Sequence, residues 1–571
     1  MHHIQAWIFS PVTHTDSPHK HALLIGLGLF LLPTVLARFV EQGDASVALL
    51  LSSLGFAVFY TGLCVAIHRL PLQKLTLGWL GLPFLLFSLF WLKWVWAIPL
   101  TLLWGAAFWR VAQVIPPSSS TQPATPHWGG YLLILVWVYL SGAGGHGLQK
   151  DDYILHTSRL LDLMDYAWPV HYSSGRWIAD PAFGPDFSLL VVYCAYYLPA
   201  AAVGKALGHT AGFEAIHLWT LAGCWLAYRW VLALTGLRFT TLAAAILMLF
   251  AGWDSVIEWK SLLSTYHAFT TLDVWQHPFS WQTLKPHLPL LEPNFLDFWP
   301  TQRFHTEYFV GHFGGHTASL FWSPHQTIAA WLTVALLAHA WQHNQDRIFC
   351  LLYALLTLWS PMNMMALALF PLVFVFRDGW QSIQRSVSWE NAIAGGSMLL
   401  VFGLYYTSGS ALTNPGVGFL WDNPQLQTHW VFIFHCVTWG VYALVIALSG
   451  NCLQGKQWLL FAVLCASLLM LPLFRYGEYS DLMTRGSTSL TFLLMLLYLK
   501  TAKQWWTEGK KRIAMMMLCL LLPGTGSGVL SLASSALRYN EKTPPLSVIE
   551  YGEGWLFMGS TQSPFARWLA E

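Results

Sequence analysis

Four polar groups interrupt an apolar chain, and their residue types define the chemistry open to it. The first is GAGGHGLQKDDYILH, residues 142–156, where Asp151 and Asp152 follow a hydrophobic run behind a Gly-rich turn. Asp162 and Asp165 come next, on a stretch that reads as an amphipathic helix with Leu160, Leu161, Leu163 and Met164 between them. A carboxylate partly desolvated at a membrane surface has a raised pKa and can serve as a general base. The plain alternative is a solvated loop carrying interfacial charge. The second group is AGWDSVIEWK, with Asp254 and Glu258 at the end of a span. If two span ends converge on one cavity, Asp152 and Asp254 can share a divalent cation such as Mg or Mn, or divide base and positioning roles. Otherwise Asp254 only marks the interface.

The third group, RFHTEYFVGHFGGHTASLFWSPHQ (303–326), holds His305, Glu307, His312, His316, Trp322 and His325. Its spacings match no standard zinc pattern. His305, Glu307, Trp322 and His325 read better as the lining of a sugar site, with a hydrogen-bonded interfacial loop as the alternative. The fourth, FRYGEYSDLMTRGSTS (474–489), crowds Arg475, Glu478, Asp481 and Arg485 into a short stretch between spans. A guanidinium there suits a phosphate, but Arg485 also stands at helical i,i+4 spacing from Asp481 and can pair with it instead.

The elements that must position these groups are membrane helices. Of 571 residues, 55% are hydrophobic and 10% charged, against about 25% charged in a soluble domain. Mean hydropathy is +0.49. The apolar runs are long and helix-like, without the ten-residue alternation of a barrel, so an all-α polytopic membrane protein is expected. A net charge of +2 gives no argument for a nucleic-acid partner. The eight cysteines include no CxxC pair, which speaks against a disulfide framework or zinc site. The N-terminal stretch lacks a basic region leading into a short apolar core and a cleavage site, so the first span reads as retained. Many of the 33 Trp lie near span ends, as an interfacial belt requires.

About fifteen spans are expected, at 21–39, 47–68, 77–92, 94–113, 130–143, 214–235, 239–256, 323–342, 347–360, 362–376, 392–409, 430–449, 457–473, 487–500 and 513–534. Arg69, Lys74, Arg110, Arg238, Arg347, Arg377, Arg385 and the cluster Lys500, Lys503, Lys510, Lys511 and Arg512 mark cytoplasmic loops. That parity places the N-terminus inside and the C-terminus outside only if the apolar segment 187–207 does not cross, so it is expected to be re-entrant or interfacial, broken at Pro199 and Gly204. Residues 1–113 then form a four-helix extension and 114–129 a cytoplasmic linker. Residues 130–534 form a core with outer loops 144–186 and 257–322, and 535–571 a short outer tail. No Walker loop, GxSxG elbow, HExxH or Rossmann fingerprint has a suitable setting.

The order of GAGGHGLQKDDYILH, DYAWPVHY, YYLPAAAVGKALG, AGWDSVI, FHTEY, LFWSPHQ and DLMTRGS resembles the GT-C superfamily of polytopic membrane glycosyltransferases, and also looks like a bacterial family of GT-C-like membrane proteins. The likeness covers roughly residues 130–500. It implies a transferase that moves a sugar from a polyprenyl-phosphate carrier to a glycan, lipid or protein acceptor at the outer face of a bacterial inner membrane. Asp152, with Asp151 beside it, would orient or deprotonate the acceptor. Asp254 would assist through a metal or through acceptor contacts. Arg475 and Arg485 would hold the lipid phosphate, and His156, His305, Glu307, Trp322 and His325 would line the substrate site. A lipid-linked glycan flippase, or a glycan polymerase or ligase on the same carrier, are the alternatives.

Overall fold

The computed structural model describes residues 58–117, 128–149, 152–173, 186–255, 314–409, 417–422, 428–449, 453, 455–476, 481–539, 542–543, 546–550 and 557–570. These residues are mostly helical. In chain order the main elements are α1 (Leu72–Trp91), α2 (Trp94–Val114), α3 (Trp128–Tyr139), α4 (Asp152–Asp165), β1 (Phe187–Leu190), α5 (Leu198–Leu207), α6 (His209–Thr235), α7 (Thr240–Leu249), α8 (His316–Trp322) and α9 (Pro324–Gln342). Short helices follow between Phe349 and Ser386. Then come α10 (Gly396–Thr407), β2 (Gly418–Phe419), α11 (Thr428–Leu448), α12 (Lys456–Met470), β3 (Phe474–Arg475), α13 (Asp481–Thr507), α14 (Lys511–Cys519), α15 (Gly526–Leu537), β4 (Met558–Ser560) and α16 (Pro564–Trp568).

Among the described residues five helices are long and apolar enough to cross a membrane, or seven if each of two bent pairs counts as one span. That supports a helical membrane protein, with fewer qualifying spans than the fifteen expected. Part of the difference is local chemistry. The segments 347–360 and 362–376 become short helices broken before Pro361 and Pro371, because a prolyl nitrogen cannot donate and its ring opposes the preceding turn. The helix α9 has the length but carries His325, Gln326, His339 and Gln342. The expected span 21–39 and the first part of 47–68 lie outside the described residues. On α2, Trp94, Ile98, Leu102 and Trp109 are all exposed; their near four-residue spacing makes one apolar face, suited to lipid.

Segment 187–207 is mixed rather than one helix. β1 pairs antiparallel with β4, an irregular turn follows, and α5 then runs only ten residues, or about 15 Å, too short to cross alone. Gly208, with φ 96°, turns the chain straight into α6, a backbone state that suits glycine. The tail is not a loose appendage. β4 joins β1, Ala570 bridges Leu92, and Val548 N–H donates to Asp162 at 2.9 Å.

Trp is used both inside and on the surface. Trp91, Trp104, Trp137, Trp225, Trp230, Trp331 and Trp359 are fully buried, while Trp94, Trp96, Trp109, Trp380 and Trp568 are among the exposed rings that suit an interfacial belt. Trp79 of α1 is stacked between Trp219 of α6 (5.0 Å) and Trp359 (4.5 Å). Its indole N–H donates to the Trp219 carbonyl at 3.0 Å, and that of Trp359 donates to the Leu80 carbonyl at 3.0 Å. Trp104 on α2 reaches Ser397 Oγ on α10 at 2.9 Å. A buried indole N–H gains from an acceptor, so Trp79, Trp359 and Trp104 each both pack and tie two segments. These ties build α1 and α2 into the same core as the later helices.

Basic residues gather at one end of the bundle. Asp346, whose side chain is fully buried, pairs with Arg377 and with Arg385 (2.7 Å). Asp378 pairs with Arg377 (3.1 Å), Arg385 and Lys456. Glu390 pairs with Arg347 at 2.8 Å. Arg229 donates to the Leu70 carbonyl at 3.0 Å.

Replacing Trp79 with Ala removes a buried ring from the middle of a three-indole stack. We expect a loss of about 3–5 kcal/mol, measured by denaturant unfolding in detergent. Trp79→Phe keeps most of the packing and should lose less.

Candidate functional site

The helix α4 explains the site from its spacing. Asp152, His156 and Arg159 stand at i, i+4 and i+7, on one face. Asp152 opens the helix, where the helix dipole favours a carboxylate. The next acids are occupied elsewhere. Asp162 is buried and accepts from Tyr172 Oη (2.5 Å) and Val548 N; burial pushes its carboxyl above the usual carboxylate range, and the hydrogen bonds oppose that shift. Asp165 meets His209 Nε2 at 2.6 Å. Both anchor the surroundings of α4.

The break between α8 and α9 supplies the other wall. Around Pro324 the Gln326 N–H bonds the Ser323 carbonyl, rather than the Trp322 carbonyl that α-helical spacing would select. That carbonyl accepts from His156 Nε2 at 2.9 Å, and His156 Nδ1 accepts from Tyr197 Oη at 2.5 Å. Both ring nitrogens are thus committed, in a neutral tautomer assigned from its partners. Burial, then Arg159, pulls the His156 pKa down to about 3. His156 is a clamp joining α4, the 191–197 turn and the α8–α9 break.

His325 lies against this clamp, its ring 4.9 Å from that of His156 and stacked 5.3 Å from Tyr193. Gln326 Nε2 lies 3.0 Å from His325 Nε2. With Gln326 donating, the imidazole proton sits on Nδ1, a buried atom without a hydrogen-bond partner among the described residues. Gln326 is set in turn by Ser360 Oγ, which donates to its Oε1 at 3.1 Å and receives Asn363 Nδ2 at 2.8 Å. Asn363 Oδ1 accepts the Ser489 N–H of α13 at 3.0 Å.

The first turns of α13 carry the cation. Asp481 begins the helix, so residues 481–486, expected between spans, belong to it. Arg485 Nε meets Asp481 Oδ1 at 3.0 Å, the i,i+4 pairing open to it from the sequence, and its Nη1 donates to Tyr193 Oη at 3.4 Å. Asp152 acts electrostatically on both Arg485 and Tyr197. Asp152, His156, the Trp322 carbonyl, His325 and Arg485, which are 333 positions apart from first to last (485 − 152), therefore belong to one group.

Asp254 has other neighbours. It lies in the turn Trp253–Ser255, and a Cβ built on Gly252 would meet Thr438 Cγ2 at 2.1 Å and Asp254 Oδ1 at 2.4 Å. Thr438 stands mid-way along α11, so the Gly252–Asp254 turn packs against that helix. Oδ1 is buried without a hydrogen-bond partner among the described residues. Arg475 is placed by its backbone, opposite Gly418 in the β2–β3 pair. Asp151, His305 and Glu307 lie outside the described residues. Among the described residues no three His, Cys, Asp or Glu side chains are grouped to hold a metal ion.

Arg159, Tyr193 and Tyr197 are site residues that sequence reasoning missed. Arg159 is buried with its guanidinium 4.3 Å from the Phe557 ring and 5.9 Å from Tyr193. Its signal was present: the one basic side chain of α4, on the same face as Asp152 and His156. The tyrosines had only a YCAYY run to show. The chain matches no protein family, no curated protein and no solved structure.

The His156 shift has a definite sign. The unfolded ring binds a proton near pH 6.5, and the folded ring only near pH 3. Its contribution to stability is therefore complete above pH 6.5 and falls away as the pH drops towards 3. Between pH 6.5 and 5 the loss is about 2 kcal/mol. Thermal unfolding in detergent at pH 7.5 and pH 5 should show a smaller acid drop for His156→Gln than for wild type.

Proposed function

We propose that the chain is a membrane glycosyltransferase of GT-C type, acting at the end of the bundle that holds Asp152 and Arg485. The observation that carries this reading is their grouping: a carboxylate and a guanidinium within electrostatic range, over stacked Tyr193 and His325, where α4 and α13 begin. A polyprenyl-phosphate sugar presents three features at a membrane surface: an apolar chain, a phosphate and a ring. Arg485 suits the phosphate. Tyr193 and the Nδ1–H of His325 suit the sugar face and a sugar oxygen.

In this mechanism Asp152 takes the proton of the acceptor hydroxyl as that oxygen bonds the anomeric carbon. The bond from that carbon to the phosphate oxygen breaks, and polyprenyl phosphate leaves with its added negative charge beside Arg485. Tyr193 and Asp481 hold the guanidinium in place. The step as written has no role for Asp254, because its described neighbours differ from those of Asp152. A shared divalent cation is omitted for the same reason. The reading places this end on the outer face of a bacterial inner membrane and the basic end in the cytoplasm, following the positive-inside rule.

The test uses the full chain in nanodiscs with a labelled polyprenyl-phosphate hexose, following release of polyprenyl phosphate. Asp152→Asn should bind the donor normally and release phosphate at least ~100-fold more slowly. Arg485→Gln should weaken donor binding about tenfold or more. Wild-type rates and affinities in both variants would remove the site and the reading with it.

A further inference from the structure

The basic end of the bundle holds a cleft of about 330 Å³ between α6, α9, α12 and α13. From Arg485 to Lys500 on α13, and from His325 to Gln342 on α9, the helices advance about 22–26 Å. The cleft is therefore nearly a hydrocarbon thickness away from the candidate site.

Its walls divide in character. Leu234, Leu460, Leu493 and Leu497 make an apolar side, while Arg377, Lys456 and Lys500 bring positive charge to it. The charges do not balance. Arg377, Arg385 and Lys456 share two carboxylates, Asp346 and Asp378, an excess of one. Lys500 adds a second. It has no acid or hydrogen-bond partner among the described residues, and its charged neighbour is another cation, Lys503. An apolar wall next to the uncompensated Lys500 ammonium and a net positive charge favours an anion that carries its own apolar chains.

We propose that this cleft binds the phosphate headgroup of an anionic phospholipid, with Lys500 and Lys456 on the phosphate and an acyl chain along the leucines. Arg377, buried against Asp346 and with its guanidinium 4.7 Å from the Trp341 ring, forms the fixed back wall. The leucines favour a lipid over free phosphate, which gains nothing from them. The assignment does not depend on the proposed transferase activity.

The experiment takes the full chain in detergent and adds phosphatidylglycerol, phosphatidylcholine or inorganic phosphate, reading bound lipid by native mass spectrometry and stability by thermal unfolding. Phosphatidylglycerol should be retained over phosphatidylcholine and should raise the melting temperature. Lys500→Gln should cut its retention about fivefold, while Lys500→Arg keeps it and Lys511→Gln, outside the cleft, has no effect. Without lipid, Lys500→Gln should melt no lower than wild type, which separates lost binding from misfolding. Equal retention of the two lipids, or unchanged retention in Lys500→Gln, overturns the proposal. Displacement by inorganic phosphate together with an equal thermal shift from phosphate alone overturns the lipid assignment.

Discussion

An indole N–H in an apolar core gains most where it reaches an acceptor, and Trp79 and Trp359 do so across the middle of the bundle. Each donates to a backbone carbonyl of another segment, and their rings stack with Trp219 between α1, α6 and the short helices after α9. That fixes residue 359, and Ser360 follows it directly. Ser360 caps the helix Pro361–Ala366 and holds both Gln326 and Asn363. Gln326 sets His325, while Asn363 grips α13 one turn after Arg485. A packing stack in the middle of the bundle is thereby connected, bond by bond, to the polar group at its end.

Several members of the polar group satisfy one another. His156 commits both nitrogens, and Arg485 is held from two sides. Networks of this kind specify a single arrangement when complete. Two buried atoms are left without a described partner, His325 Nδ1 and Arg159 Nε. The opposite end of the bundle is organised differently. There carboxylates are outnumbered, and ion pairs join the ends of several helices while leaving positive charge in excess.

Charge alone was a poor guide to which acids share a site. Asp152, Asp162, Asp165 and Asp254 look alike as carboxylates beside apolar runs. In the structure Asp162 receives the tail, Asp165 holds His209, and Asp254 sits beside the middle of α11. Asp152 is the one of the four that acts electrostatically on Arg485. The difference comes from which donors surround each carboxylate, and those donors lie from 10 to 386 positions away in the chain. Arg159 was legible from helical spacing on α4, whereas Tyr193 and Tyr197 were not, since nothing local distinguishes them from core aromatics.

The sequence by itself determined the solvent and the class of fold. Too few charges and long apolar runs leave helices in lipid as the way to satisfy the backbone. It also determined local features whose causes lie within a few residues: the helix with Asp152, His156 and Arg159 on one face, the breaks before Pro324 and Pro361, and the Asp481–Arg485 pair. The tertiary structure alone decided which of these meet. It brought His156 to the carbonyl of Trp322, set Asp254 against Thr438, broke apart several expected spans and brought Lys500 and Lys456 to one cleft. Those outcomes depend on helix packing and on buried donors finding acceptors across long separations, and such pairings are properties of the folded chain rather than of any stretch of it.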